Sequence, residues 1–131
     1  MAQPDSNLDD LCPTLLPLAG AFVSQCRASG LHCRITITWR DPSAQDAAHA
    51  AGLSNAAAGQ SPHNCCNADG TPASRAFDFA LFDDNAAYIA NGTDPRYAQA
   101  GAIAKGLGLA WGGDWHHPDY DHVELANWRA V

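Results

Sequence analysis

The segment 75–81 constrains the fold of this chain more than any other segment does. Phe77, Phe79 and Leu81 share one face of an alternating pattern, and Asp78 lies on the other face between two alanines. Such alternation predicts a β-strand with one face against a hydrophobic core. A carboxylate on an interior strand is costly unless it is paired, hydrogen-bonded or bound to a metal. The segment therefore predicts a sheet that carries a polar site.

Two other segments, 33–39 and 121–125, alternate in the same way and predict further strands. His122 and Glu124 share one face of the second segment, opposite its aliphatic residues. His122 thus repeats the pattern of Asp78, because each is a metal-capable side chain on the polar face of a strand.

Helical patterns lie between the predicted strands. Apolar residues recur at helical spacing over 13–29, and Asp94 with the proline after it marks the start of a helix that runs to about Leu107. The segment 43–51 opens with a capping serine and predicts a short helix, whereas 54–74 has the composition of a loop. Because no regular βαβ rhythm appears, we expect an α+β fold with a small antiparallel sheet and flanking helices.

Length and charge limit the partners of the protein. The 131 residues suit a single domain over 1–131, with an acidic lead-in over 1–12. Fourteen acidic residues against seven Lys and Arg give a formal charge of −7, so we expect no nucleic-acid partner. No stretch approaches the ~18 apolar residues of a membrane span, so we expect no membrane insertion. Five cysteines cannot all pair within one chain, and we expect thiols that bind no metal or, at most, one disulfide.

Potential metal ligands concentrate in three segments: 61–63, 76–79 and 116–122. Asp78 and His122 come from strands, and His63 comes from the predicted loop. Two histidines and one carboxylate leave a fourth position open for water on zinc, which is typical of catalytic sites. Asp119, three residues before His122, is a candidate base for the proton of that water. Spacing alone leaves alternatives open, namely structural histidines and an Asp78 paired with a nearby arginine, Arg34 or Arg40.

Longer motifs in these segments resemble the VanY-like D-Ala-D-Ala carboxypeptidase and L-alanyl-D-glutamate endopeptidase family of zinc peptidases. The motifs are Ser61-Pro62-His63, Ala76-Phe77-Asp78-Phe79, Trp111-Gly112-Gly113-Asp114-Trp115 and Asp119-Tyr120-Asp121-His122-Val123-Glu124-Leu125. The resemblance is greatest to the phage endolysin branch and implies a hedgehog/DD-peptidase-like fold.

The resemblance also implies roles for individual residues. His63, Asp78 and His122 match the ligands of one Zn²⁺ per chain, and Asp119 matches the catalytic base. Arg40 matches the arginine that steadies the substrate carbonyl. That role suits a fixed cation beside a developing oxyanion.

Two departures from the family pattern affect these assignments. His63 and Asp78 are fifteen residues apart, a longer spacing than the family has, because an insertion over 64–75 separates them. Asp121 stands where the endolysin branch often has proline, so it competes with Asp119 for the base role. Alternation puts Asp121 on the face opposite His122, which favours Asp119.

Three further residues, Ser61, Trp115 and Glu124, are candidates for substrate binding. Each has an alternative role, because Ser61 can support its loop, Trp115 can pack its turn, and Glu124 can orient a ligand histidine. His116 and His117 are typical of exposed loop histidines, and a second metal site is the alternative.

The function that the resemblance implies is a zinc metallopeptidase of peptidoglycan, most specifically an L-alanyl-D-glutamate endopeptidase of the endolysin type. Rival interpretations are a D-Ala-D-Ala carboxypeptidase or dipeptidase, a secreted effector, and a zinc-carrying wall-binding module without turnover. The expected partner is the stem peptide, and we expect a monomer. The N-terminus lacks the pattern of a secretion signal. We therefore expect synthesis in the cytoplasm and action at the cell wall after release through a pore or delivery machinery.

Overall fold

The computed structural model describes residues 6–40, 50 and 61–129. In these ranges two α-helices pack on a four-stranded sheet. The helices are α1 (Leu15–Ala28) and α2 (Pro95–Gly106), and the strands are β1 (His32–Ile37), β2 (Ala76–Phe82), β3 (Leu109–Trp111) and β4 (His122–Leu125). The strand order is β1-β2-β4-β3, and every neighbouring pair is antiparallel. The predicted α+β fold with a small antiparallel sheet is confirmed.

The hydrophobic core lies between the helices and one face of β2. The Phe22 ring of α1 lies 5.3 Å from the Phe77 ring and 5.0 Å from the Phe79 ring, between centroids. Tyr97 of α2 lies 5.7 Å from Phe79. All four side chains are almost fully buried, and each buried phenylalanine contributes about 1.5–3 kcal/mol. Since the core takes this face of β2, Asp78 lies on the opposite face, as the alternation predicted.

The helices begin and end near the predicted residues. The α1 helix ends before Gly30, which has a φ of 86°, and the Leu31 N–H donates to the Cys26 carbonyl at 2.9 Å. Only glycine adopts this left-handed conformation readily, so Gly30 ends the helix. The side chain of Asp94 accepts a hydrogen bond from the Arg96 N–H at 2.9 Å and caps α2. Among the described residues, no helix is long and apolar enough to cross a membrane.

The sequence prediction missed β3. This strand has three residues, which is too short to show alternation, and only two residues separate it from the end of α2. It pairs with β4 through the partners Leu109 and Leu125 and makes β4 an interior strand. The helix predicted over 43–51 lies outside the described residues, apart from residue 50.

The insertion over 64–75 closes on itself. The Asn67 N–H donates to the Thr71 carbonyl at 2.8 Å, and Gly70 has a φ of 86° in the turn between them. At the base of this loop the Ala73 N–H donates to the Cys65 carbonyl at 2.9 Å. The two ends of the insertion are therefore adjacent, although a long stretch of sequence separates His63 from β2.

The five cysteines are free thiols, in line with the expectation from their number. Cys12, Cys26 and Cys33 are buried, whereas Cys66 is exposed. Interaction with Cys26 of α1, together with burial, raises the pKa of the Cys33 thiol of β1. These thiols pack as small apolar side chains.

Candidate metal centre

Asp78 and His122 are cross-strand neighbours on the face of the sheet opposite the core. They are direct partners in the antiparallel register of β2 and β4. Such partners have their Cβ atoms about 4.5–5.5 Å apart and point the same way. Oδ1 of Asp78 lies 3.2 Å from Nδ1 of His122. The sheet therefore brings together two polar residues that are far apart in sequence.

His63 lies in a single 3₁₀ turn, Pro62–Asn64, directly before the inserted loop. Ser61 begins this turn, and its Oγ accepts a hydrogen bond from the His63 N–H at 3.2 Å. The backbone N–H of Arg40 donates to the His63 carbonyl at 3.0 Å. The turn is therefore tied to the chain that follows β1, and the backbones of Arg40 and His63 lie side by side.

The His63 ring has a fixed orientation. Its Nδ1 lies 2.8 Å from the backbone carbonyl of Thr38, and its Nε2 lies 3.2 Å from Oδ1 of Asp78. Because a carbonyl only accepts, Nδ1 carries the proton and donates it to Thr38. A second proton on Nε2 can bond to Asp78, and loss of that proton leaves a lone pair directed at the same carboxylate, as metal binding requires.

The His122 ring is oriented by Glu124. Its Nε2 lies 2.8 Å from Oε1 of Glu124, two residues along the same strand. Donation of the Nε2 proton to this carboxylate leaves Nδ1 facing Asp78, and such a partner also raises the basicity of the ring. Of the two roles expected for Glu124, this contact fits the orienting one. Trp115 packs beside the ring, with its centroid 5.1 Å from that of His122.

His63, Asp78 and His122 each offer one ligand atom, and these atoms all lie within 4.8 Å of one another. The ligand atoms are two imidazole nitrogens and one carboxylate oxygen. This set is typical of catalytic sites for divalent transition metals, in which further positions stay open. The expected alternative, an Asp78 paired with Arg34 or Arg40, does not fit, because its carboxylate contacts the two histidines. The arrangement thus suits a metal ion held by three protein ligands.

Electrostatics in the cluster favour bound positive charge. Burial raises the pKa of Asp78, but the charge of His63 and the hydrogen bonds of both rings outweigh it and lower the pKa well below its usual range. Burial lowers the pKa of His122, but the carboxylates of Asp78 and Glu124 outweigh it and raise the pKa to about 10. The cluster therefore stabilises a proton on His122, or a cation in its place.

Asp119 is held beside the cluster by the Trp111–Trp115 motif. Its N–H donates to the Gly112 carbonyl at 2.9 Å, and its own carbonyl accepts from the His122 N–H at 3.3 Å. A Cβ at Gly112 would collide with the carbonyl oxygen of Asp119. The Asp119 charge also contributes to the raised pKa of His122, so this carboxylate lies near the cluster.

Asp121 also lies close to the cluster. Burial, followed by a hydrogen bond with Asp119 and the charges of Asp78 and Asp119, raises the pKa of Asp121 to about 8. Asp121 precedes β4, so strand alternation does not keep it away from the site as we expected. The two carboxyls therefore share one environment beside the cluster. Asp119 and Asp121 are therefore both candidates for the base.

Trp111 lies in the core, whereas Trp115 lies at the surface beside the cluster. Trp111 is buried, donates its Nε1 hydrogen to the Tyr120 carbonyl at 2.8 Å and packs against Gly101 and Gly113. Trp115 is 39% exposed, so its ring forms part of the surface next to His122. This exposure is compatible with contact to a ligand, the role predicted for Trp115.

One functional contact could not be found in the sequence. The group that fixes His63 is the backbone carbonyl of Thr38, and every residue has such a carbonyl. His116 and His117 form an exposed ring pair with centroids 4.8 Å apart, and they are not part of the cluster.

Comparison with known proteins is consistent with this site. The fold is similar to that of a Serratia marcescens L-Ala D-Glu endopeptidase, ChiX, with a TM-score of 0.70 and 20% sequence identity. The similarity covers 92% of this chain and 84% of the other, and at this identity it shows a shared fold. A sequence search found no match among curated proteins.

A family model for peptidases supplies the sequence evidence. The peptidase M15 model described as D-alanyl-D-alanine carboxypeptidase matches residues 54–125, more than half of the chain. The match includes all three residues of the cluster together with Asp119. The chain belongs to this D-alanyl-D-alanine carboxypeptidase family of peptidases.

Proposed function

We propose that this protein is a zinc-dependent peptidoglycan peptidase that cleaves the L-alanyl-D-glutamate bond of the stem peptide. The observation that carries the proposal is the cluster of His63, Asp78 and His122, with ligand atoms within 4.8 Å of one another. Both rings are oriented by a second hydrogen bond, which is typical of metal-binding histidines. The fold shared with an L-Ala D-Glu endopeptidase supports the choice of bond.

The roles of the residues follow from the chemistry of peptide hydrolysis. A bound Zn²⁺ would polarise the substrate carbonyl and lower the pKa of a water molecule towards ~7. The Asp119 carboxylate accepts a proton from the attacking water and passes it to the leaving amine. The Arg40 guanidinium stabilises the negative charge that develops on the carbonyl oxygen. Trp115, on the rim beside His122, contacts the substrate, and Ser61 holds the turn that carries His63.

Metal analysis tests the ligand set. We expect about one zinc ion per wild-type chain and loss of the metal from His122→Ala, since two ligands hold Zn²⁺ poorly. His117→Ala is the matched control, because that histidine is exposed and outside the cluster, and it should retain zinc. Equal zinc content in all three proteins would overturn the ligand assignment.

Mass spectrometry of digested peptidoglycan tests the bond. Release of fragments cut between L-alanine and D-glutamate supports the proposal. The family model is described as D-alanyl-D-alanine carboxypeptidase, which makes that activity the second candidate. Loss of terminal D-alanine alone would establish it and exclude the endopeptidase.

The Asp119→Ala variant separates an enzyme from a binding module. If the protein is a peptidase with Asp119 as its base, the variant keeps its zinc but loses hydrolysis, because the proton acceptor for water is removed. A wall-binding module would keep its full biological effect after the same change.

The proposed substrate also implies where the protein acts. Peptidoglycan lies outside the cytoplasm, so we propose action at the cell wall, as a phage lysin released through a pore or as an effector delivered by a secretion machine. We further propose that residues 1–131 act as one domain and as a monomer. Light scattering of the zinc-loaded protein tests the oligomeric state.

A further inference from the structure

We propose that Arg34 binds a carboxylate of the substrate at a subsite about three to four residues from the scissile bond. This inference rests on the proposed function, since it assigns the same substrate a second anchoring point. It is drawn from the position of Arg34 on the sheet, its aromatic support, its lack of a carboxylate partner and the space around it.

Arg34 lies on the same face of the sheet as the metal ligands. It is the register partner of Ala80, two residues along β2 from Asp78, and directly paired residues point the same way. The core-facing residues of β1 are its neighbours Cys33 and Ile35, which are buried, whereas Arg34 is exposed. A substrate lying across this face from the cluster would therefore meet Arg34.

The guanidinium of Arg34 is supported by an aromatic ring. Its Cζ lies 5.0 Å from the centroid of the Phe82 ring, which in turn lies 6.0 Å from the ring of Tyr88. Phe82 is four residues from Asp78 along β2, a distance of about 13 Å. An extended peptide covers that distance in roughly three to four residues. The ring holds the cation in place while leaving its donors available.

In the described part of the chain, no carboxylate forms an ion pair with Arg34. The two acids nearest in sequence to Phe82 have other partners. Asp84 pairs with His32 at 3.0 Å, and Oδ1 of Asp83 accepts hydrogen bonds from the backbone N–H groups of Asn85 and Ala87. Arg34 therefore has no ion-pair partner of its own among the described residues, in a protein whose net charge is −7.

There is room for a ligand beside Arg34. Two surface cavities, of about 390 and 480 Å³, both have Arg27 and Arg34 in their walls. The first also includes Phe82, Asp83 and Asp84, so the supporting ring and the cation face the same space as two carboxylates, each of which has a partner of its own. Since Arg27 donates to the Cys33 carbonyl at 3.3 Å, Arg34 is the better placed of the two to bind an anion. A planar guanidinium matches a carboxylate with two parallel hydrogen bonds.

The test uses a synthetic stem tetrapeptide with a free C-terminal carboxylate and the same peptide with a C-terminal amide. Wild-type protein should cleave the acid with the lower KM. Arg34→Ala should raise KM for the acid about tenfold or more, with little change in kcat and little effect on the amide. Arg34→Lys keeps the charge but not the planar guanidinium. Its KM for the acid should lie between those of wild-type protein and Arg34→Ala.

Arg129→Ala is the matched control, because Arg129 also lies over an aromatic ring, 4.3 Å from the centroid of Trp128. It should leave both KM values unchanged. The subsite proposal is overturned if wild-type protein does not distinguish acid from amide, or if Arg34→Ala affects both equally. If wild-type protein cleaves neither peptide, the proposed function fails instead. Calorimetric titration of zinc-loaded Asp119→Ala with both peptides then tests the subsite separately. The subsite proposal requires that the acid peptide binds more tightly than the amide.

Discussion

Oδ1 of Asp78 lies 3.2 Å from Nδ1 of His122 and also 3.2 Å from Nε2 of His63. One carboxylate oxygen thus faces two imidazole nitrogens that approach from different parts of the chain. Each ring uses its other nitrogen for a second acceptor, the Thr38 carbonyl or the Glu124 carboxylate. The geometry of the cluster therefore depends on groups that do not belong to it, and these groups can be tested.

The first prediction concerns Glu124. Glu124→Ala removes the acceptor of the His122 Nε2 proton, and we expect zinc affinity to fall about 10–100-fold. Glu124→Gln keeps an acceptor oxygen and should lose less. Competition with a chromophoric chelator measures the affinity. Unchanged zinc affinity together with a raised KM would instead support direct substrate binding by Glu124.

The second prediction concerns protons released by metal binding. Because the pKa of His122 is raised to about 10, its ring is protonated at pH 7 in the metal-free protein. Zinc takes the place of the Nδ1 proton, so His122 contributes about one released proton on metal binding. The affinity for zinc should therefore rise with pH, up to about tenfold per pH unit below pH 10. Calorimetry in buffers of different ionisation enthalpy measures the release. Identical heats in all buffers would contradict the prediction.

The third prediction concerns Gly112. A Cβ there would collide with the Asp119 carbonyl, so we expect Gly112→Ala to destabilise the protein by about 1–3 kcal/mol and to displace the base. Hydrolysis should fall while zinc remains bound. Gly20→Ala is the control, because nothing lies within 4 Å of its added Cβ, and in the middle of α1 it should stabilise by roughly 0.5–1 kcal/mol. Thermal unfolding and zinc content of both variants check the contrast.

The fourth prediction concerns the N-cap of α2. Hydrogen bonds from the side chain and backbone of Arg96 lower the pKa of Asp94 to about 2. A lowered folded-state pKa gives stability that is present above the unfolded value near 4 and is lost as pH falls through about 2. Asp94→Ala should therefore lower Tm at pH 7 and change it much less at pH 2. Asp94→Asn keeps the capping oxygen and should retain part of the stability at pH 7.

Much of the site could be predicted from local patterns. Alternation along β2 separates Asp78 from Phe77 and Phe79, and this separation follows from the two-residue period of a strand. The position of Asp121 could not be obtained in the same way. It lies one residue before β4, where the strand period does not apply, and its carboxyl interacts with Asp119.

Other features depend on contacts across the chain. The tautomer of His63 is set by the carbonyl of Thr38, twenty-five residues earlier, and a backbone group has no sequence signature. The three-residue strand β3 exists because β4 offers it a partner, and an isolated segment of that length has no stable structure of its own. Long-range pairing therefore determines the parts that sequence patterns could not.

The self-closing loop between His63 and β2 has a consequence for how such chains diversify. Its two ends meet at the hydrogen bond between Cys65 and Ala73, so residues can be added or deleted beyond that point without moving either neighbouring ligand. Lengthening a closed surface loop costs little free energy, since the entropy of closure grows only slowly with length. The length of this loop can thus vary among related chains while His63 and Asp78 keep their positions in the cluster.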